Sequence, residues 1–156
     1  MWRLYKERIR FAIVYAINRF GMEINVKETV LYYAPESAAY TALLKGVLVQ
    51  MGIKIKNLTP GRCEKKIGFL AGVDGFNDEA SMLEGGQQVF HAVLREEFMV
   101  FCGFTEERLD ELLDKLKKVG IPKTIIKAVL TETNAHWTIH ELYDHLMEER
   151  RKFEQR

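Results

Sequence analysis

The sequence predicts an α/β fold: a small doubly wound, mostly parallel four-stranded sheet with an added N-terminal helix. Three observations carry that expectation. Two runs, Thr29-Val30-Leu31-Tyr32-Tyr33 and Phe98-Met99-Val100-Phe101-Cys102, are almost unbroken in apolar character, as strands covered on both faces are. Each is followed by a helical apolar stripe that stops at a glycine, Gly52 in one case and Gly120 in the other. A further strand-like run follows each glycine, so one βαβ plan is used twice.

In the first half, Pro35 leads into a helix through Met51, with Tyr40, Leu43, Leu44, Val47, Leu48 and Met51 as its apolar stripe. Ile53-Lys54-Ile55-Lys56 then alternates strictly, the mark of a half-exposed strand. Thr59-Pro60 opens a short helix by cap and first-turn proline, ending between Gly68 and Gly72. Val73 to Gly86 is rich in glycine and acid and reads as a flexible linker, and Val89, Phe90, Val93 and Leu94 suggest a further helix.

In the second half, Thr105 caps a helix whose first turn carries Glu106 and Glu107, in keeping with the helix dipole. Leu109, Leu112, Leu113 and Leu116 make its buried face, and Lys117, Lys118 and Gly120 close it. A strand follows in Thr124 to Leu130. Thr138 with Glu141 forms a capping box for a last helix that turns Ile139, Leu142, Tyr143 and Leu146 to the core. Leu43-Leu44 aligns with Leu112-Leu113, and Met51-Gly52-Ile53 with Val119-Gly120-Ile121. Residues 22–156 therefore read as a single domain of two halves, 22–72 and 98–156, joined by 73–97. Continuously apolar strands belong in the middle and the alternating one at an edge. The order is then 2-1-3-4 with all strands parallel, and right-handed crossovers place helices on both faces.

A chain of 156 residues, 47% of them hydrophobic, is enough for one core. The charge is uneven. Arg3, Lys6, Arg8, Arg10 and Arg19 stand against Glu7 in the first twenty residues, a net +4, leaving −3 for the rest. That slightly acidic body is no footprint for nucleic acid. Cys63 and Cys102 lie far apart, which points to reduced thiols and a cytoplasmic setting. Tyr5, Ile9, Ala12, Ile13, Ala16, Ile17 and Phe20 recur at helical spacing, so residues 1–21 form an amphipathic helix. Its apolar run is too short for a membrane span, which needs roughly 20 residues, and no small-residue cleavage site follows. Three readings stay open: it packs on the domain or a twin chain, it lies on an anionic membrane surface, or Met22 is the natural start.

Catalytic signatures are scarce. His140-Glu141-Leu142-Tyr143-Asp144-His145 nearly spells a zinc-protease motif, but histidines five apart diverge around a helix and read as solvated flanks. His136 lacks a third ligand, so no metal is expected. Neither G-x-G-x-x-G nor a P-loop occurs, and no cofactor is indicated. The strand order resembles a response-regulator receiver, or a flavodoxin-like half, without its last strand. Where a receiver needs acidic residues, this chain has Tyr33-Ala34 and Cys102. Open α/β sheets bind ligands beyond the carboxyl ends of strands where the order reverses. That rule places a crevice between Tyr33, Glu36, Cys102 and Thr105, with Thr131, Thr133, Asn134 and Trp137 from the loop after the fourth strand. The competing reading makes these ordinary turn and cap residues.

One resemblance adds to this. Val100-Phe101-Cys102-Gly103-Phe104, Leu109 to Leu113, Lys127-Ala128-Val129-Leu130-Thr131, Thr133-Asn134, Trp137-Thr138 and Glu141-Leu142-Tyr143 together resemble a bacterial family known as domain of unknown function 3783. Val30 to Gly72 looks like the upstream part of such proteins, and residues 1–21 do not. The resemblance implies a bacterial cytoplasmic protein and no assigned chemistry. The expectation is a non-enzymatic module that binds a small molecule or a protein, with homo-oligomerisation through the N-terminal helix or an edge strand left open. Its rival is a thiol-dependent enzyme or redox protein using Cys102, where a thiol near a helix N-terminus can become a nucleophile.

Overall fold

Two strands without an exposed side chain form the middle of the sheet, as their apolar runs require. They are β1 (Thr29–Tyr33) and β3 (Phe98–Cys102), buried at every position. A computed structural model describes residues 26–76 and 94–154 of the chain. The expected helix over residues 1–21, the Met22 start, most of the linker and the cluster Val89, Phe90 and Val93 lie outside the described residues. The other elements are α1 (Thr41–Gln50), β2 (Lys54–Asn57), α2 (Ile67–Ala71), α3 (Glu106–Lys118), β4 (Ile126–Val129) and α4 (Ile139–Glu154). Short 3-10 turns at Pro60–Glu64 and Asn134–His136 precede α2 and α4.

Among the described residues the sheet has four strands in the order β2-β1-β3-β4, as expected. β1 is parallel to β2 and β3 to β4, but β1 runs antiparallel to β3. The sheet is mixed, and the all-parallel expectation is overturned. Continuous apolar character reports cover on both faces and says nothing about direction. Direction then decides where the crossovers lie. Right-handed crossovers leaving toward opposite edges fall on opposite faces when the central strands are parallel, and on one face when they are antiparallel. Accordingly α1 and α3 share a face, where Leu44, Leu48, Leu112 and Leu116 pack with Val30, Tyr32, Met99 and Phe101. The two turns, α2 and α4 cover the other face, with Cys63, Ile67, Ala135 and Ile139 against Leu31, Tyr33, Val100 and Cys102.

The repeat extends beyond βαβ to the turn and the helix that follow. Leu58, Cys63, Ile67 and Leu70 correspond without a gap to Leu130, Ala135, Ile139 and Leu142, and all eight are buried. Backbone bonds repeat with them. Ile53 N donates to Leu48 O as Ile121 N does to Leu116 O; Lys54 N donates to Glu28 O as Ile126 N does to Glu97 O. Leu58 N donates to Tyr32 O as Leu130 N does to Phe101 O. The corresponding residues Leu31 and Val100 are antiparallel partners. Lys66 and Thr138, the residues before α2 and α4, also pair with each other. Residues that pair with their own counterparts lie on a twofold axis, so an approximate twofold runs through the sheet and relates the two units.

Local differences from expectation have local causes. α1 starts at Thr41 rather than after Pro35, because Ala38 N–H bonds the Thr41 hydroxyl and Thr41 N–H returns to Ala38 O, closing a turn first. Leu43 is 54% exposed and does not join the stripe. The C-caps make Leu44 the counterpart of Leu112, one place from the alignment read in sequence. β2 pairs with β1 alone among the described strands, and Lys56 Nζ ties it to Leu70 O at 2.7 Å. The capping box holds, with Thr138 N to Glu141 Oε2 at 2.8 Å and Glu141 N to Thr138 Oγ1 at 3.1 Å.

Gly103, directly after β3, has φ +77°, and a Cβ there would lie 2.2 Å from Val26 O. Both strain and clash act there, so Gly103→Ala should cost about 2 kcal/mol or more in denaturant unfolding. Gly61 has open space and no positive φ, so Gly61→Ala should stay within about 0.5 kcal/mol of the parent. Equal midpoints for the two variants would refute this account of the β3–α3 turn.

Candidate functional site

Antiparallel pairing sets Tyr33 beside Phe98 and Cys102 beside Thr29. The carboxyl ends of β1 and β3 therefore lie at opposite ends of the sheet, and the expected crevice is divided. Tyr33 and Glu36 are at one end. Cys102 and Thr105 are at the other, joined by the loop with Thr131, Thr133 and Asn134, because β4 runs parallel to β3 with Val129 opposite Phe101.

The Cys102 end is closed on itself. Thr131 N donates to Asn134 Oδ1 at 2.8 Å, Asn134 N to Thr131 Oγ1 at 3.1 Å, and Asn134 Nδ2 to Val129 O at 2.8 Å. Thr105 Oγ1 accepts from Arg108 N as the cap of α3. Thr133 is exposed, and Trp137 stacks on His145 with ring centroids 4.1 Å apart. Burial pushes the Cys102 thiol up to about 12, partly offset by the Lys56 charge. Cys63 is also buried, and pushed up to about 11 for the same reason with Glu64 adding to it. His140 is buried rather than on a solvated flank, while His145 is exposed. The reason is the pairing of Lys66 with Thr138, which draws the start of α4 down against the other unit.

The other end holds an open cleft of about 930 Å³. Pro35, Glu36, Ser37 and Ala38 from the β1–α1 loop, Tyr40, and Leu94, Arg95 and Glu97 before β3 line it. Tyr33, the first of the expected residues, serves as a post: its hydroxyl donates to Leu94 O at 2.7 Å. Glu97 is the anchor of the cleft. Its two carboxylate oxygens each accept one phenol, from Tyr32 and from Tyr40. Burial first, and the bond to Glu97 second, push Tyr40 up to about 12 and move Tyr32 in the same direction. Behind them Tyr32, Met99 and Lys127 are neighbours across three strands. Lys127 is buried, its Nζ donates to Ile125 O at 3.1 Å, and burial pushes its ammonium down to about 8 against the pull of Glu97.

The twofold makes Glu28 the counterpart of Glu97, and the shared C-caps make Arg108 that of Tyr40. At the Cys102 end Arg108 spans Glu28 at 2.9 Å, Glu111 at 3.0 Å and Met51 O at 2.9 Å. One acidic residue ahead of each central strand thus holds the helix start of the other unit. Sequence reasoning named Tyr33 and Glu36 but missed Tyr32, Tyr40, Glu97 and Lys127. A lysine inside the apolar run Ile125 to Leu130 was the visible signal, since an amine there must be buried.

Residues 97–153 match the family model described as Domain of unknown function (DUF3783). The match begins at Glu97 and covers the second unit of the pair. No curated protein and no solved structure matches the chain. Among the described residues no helix is long and apolar enough to cross a membrane. The structure places beside the DUF3783 segment a first unit of the same plan, and the cleft lies where the two meet.

Lys127 gives the cleft a measurable signature. Its folded pKa of about 8 lies below the ordinary 10.5, so between these values the unfolded chain binds more protons at this group and its contribution to stability rises with pH. The buried Cys63 and Cys102 thiols, both pushed up, act the other way in the same window, because the folded chain keeps protons that the unfolded chain releases. The contribution of Lys127 is therefore read as a difference: from pH 8 to pH 10 the stability of the parent relative to Lys127→Met should rise by about 2 kcal/mol in urea unfolding. Parallel curves for variant and parent would show that Lys127 stays charged.

Proposed function

We propose that this protein is a non-enzymatic binding module of a bacterial cytoplasm, and that its ligand is a small polar molecule held in the cleft between the β1–α1 loop and the segment entering β3. The observation that carries this reading is the cleft itself: about 930 Å³, walled by Glu36, Ser37, Arg95 and Glu97, on a floor fixed by the Tyr32–Glu97–Tyr40 bonds. Sites of this volume suit small ligands, and a few placed polar groups give them orientation. Arg95 supplies a fork for a carboxylate or phosphate and Glu36 an acceptor for an amine, while Glu97 already accepts both phenols. Free, buried Cys63 and Cys102 support a reducing compartment.

The thiol alternative has less support. A nucleophilic cysteine needs access and a thiolate. Cys102 has no exposed surface, and burial keeps it protonated far above neutral pH. Folded protein at pH 8 should react with a chromogenic disulfide reagent only as fast as it unfolds; modification of Cys102 at a free-thiol rate would revive the redox reading. For the cleft, native mass spectrometry of protein purified without ligand should show a retained mass that leaves on denaturation. Arg95→Ala and Ser37→Trp should each abolish it. A mass that persists in both variants, or clean protein whose Tm no polar metabolite raises, would sink the cleft as the site.

A further inference from the structure

The approximate twofold fixes which residue of one unit takes the place of which in the other. Leu31 with Val100 and Lys66 with Thr138 are such pairs. It follows what each unit would meet if its partner were a copy of itself. For the second unit, a copy brings Glu97 to the place of Glu28, Arg95 to that of Val26 and Thr138 to that of Lys66.

All three exchanges fit. Arg108 holds the Glu28 carboxylate through two nitrogens, at 2.9 and 3.0 Å. Glu97 of a copy carries the same group to the same place, and the twofold makes that ion pair twice. Val26 O lies where a Cβ on Gly103 would come within 2.2 Å. A copy sets Arg95 O there, and a glycine is present to receive it. On the other face Thr138 meets Thr138, an uncharged contact. The cores exchange like for like, with Leu44 giving way to Leu112, Ile67 to Ile139 and Leu31 to Val100. The first unit fails the same test. Against its own copy it would set Ala34, the counterpart of Gly103, on a carbonyl and Lys66 on Lys66.

We propose that the second unit is self-complementary: two copies of this chain pair through their second units, β3 antiparallel to β3 about Val100, once the first unit leaves that face. The contact is isologous, and each copy supplies both Glu97 and Arg108. The stretch matched by the family model, residues 97–153, holds Glu97, Gly103, Arg108 and Thr138 within this one unit. Within a single chain the first unit competes for the same surface, with Glu28 and Tyr40 standing in for Glu97 and Arg108 of a copy.

Full-length Leu31→Asp tests this, since an unpaired charge in the middle of β1 opposes its seating and leaves the second unit unaltered. Native mass spectrometry should show a dimer. Residues 98–102 should exchange amide hydrogen roughly tenfold or more slowly in that dimer than after dilution to monomer. In the same background Arg108→Glu and Glu97→Arg should each weaken the dimer roughly tenfold or more, and the two together should restore it. The parent should gain nothing from the double reversal, because there Arg108 meets Glu28 and Glu97 meets two phenols. Leu31→Pro, which removes a ladder N–H, provides a second background if the aspartate variant misfolds. A chain that stays monomeric with residues 98–102 unprotected in both backgrounds would overturn the proposal. Association that either single reversal leaves unchanged, or that the double reversal does not restore, would overturn it equally.

Discussion

The antiparallel pairing of β1 with β3 is the constraint on which the remaining structure depends. Five residues of each strand are in register, with Leu31 opposite Val100 at the centre. Because those two residues are counterparts in the repeat, their pairing creates the twofold. From it follow the shared face of α1 and α3, the second self-pairing at Lys66 and Thr138, and the opposed positions of Glu28 and Glu97. The central ladder is apolar on both sides, so it couples two cores, one per face. Both units contribute to each core: Leu44, Leu48, Leu112 and Leu116 on one face, and Cys63, Ile67, Ala135 and Ile139 on the other.

Against a repeated frame, departures from the repeat become informative. Arg108 fills one end of the sheet with a guanidinium bonded to two carboxylates and a carbonyl. At the other end Tyr40 offers a single hydroxyl, and the chain between β1 and α1 is longer than that between β3 and α3. The cleft opens where the shorter reach and longer loop coincide. Lys127 stands where the first unit has Ile55, so an amine replaces an alkyl group in the interior behind that cleft. Desolvating an amine opposes stability, and Glu97 offsets only part of that cost. A polar cluster of Tyr32, Tyr40, Glu97 and Lys127 at one end of an otherwise apolar repeat specifies position as much as it stabilises.

Much of the fold was legible in the residues. Central strands, the edge strand, the glycine caps at Gly52 and Gly120 and the Thr138–Glu141 box all rest on local chemistry that acts within a few residues. The candidate site was legible only in part. Tyr33 and Glu36 were read correctly as lying at a strand end, and Glu36 does line the cleft. Their assumed companions Cys102, Thr105, Thr131 and Asn134 went to the opposite end, spent on a cap and a closed loop. Tyr32 and Glu97, far apart in sequence, meet only because an antiparallel partner brings the start of β3 to the finish of β1.

The sequence by itself determined the four strands of the described sheet and their order, the helices that follow β1 and β3 with their glycine stops, the last helix with its capping box, and the use of one plan twice; the helix expected from Pro60 is instead a 3-10 turn, Pro60–Glu64, and a separate helix, Ile67–Ala71. Periodicity, caps and turn residues act over a turn or a strand, so a linear reading captures them. Only the tertiary structure decided the direction of the second unit against the first. An apolar strand buried on both faces presents the same side chains to a parallel or an antiparallel neighbour, and its backbone can satisfy either ladder. That choice comes from how two whole units cover each other. With it comes everything that joins them: the shared helix face, the burial of His140, and the Glu97 cluster at the cleft.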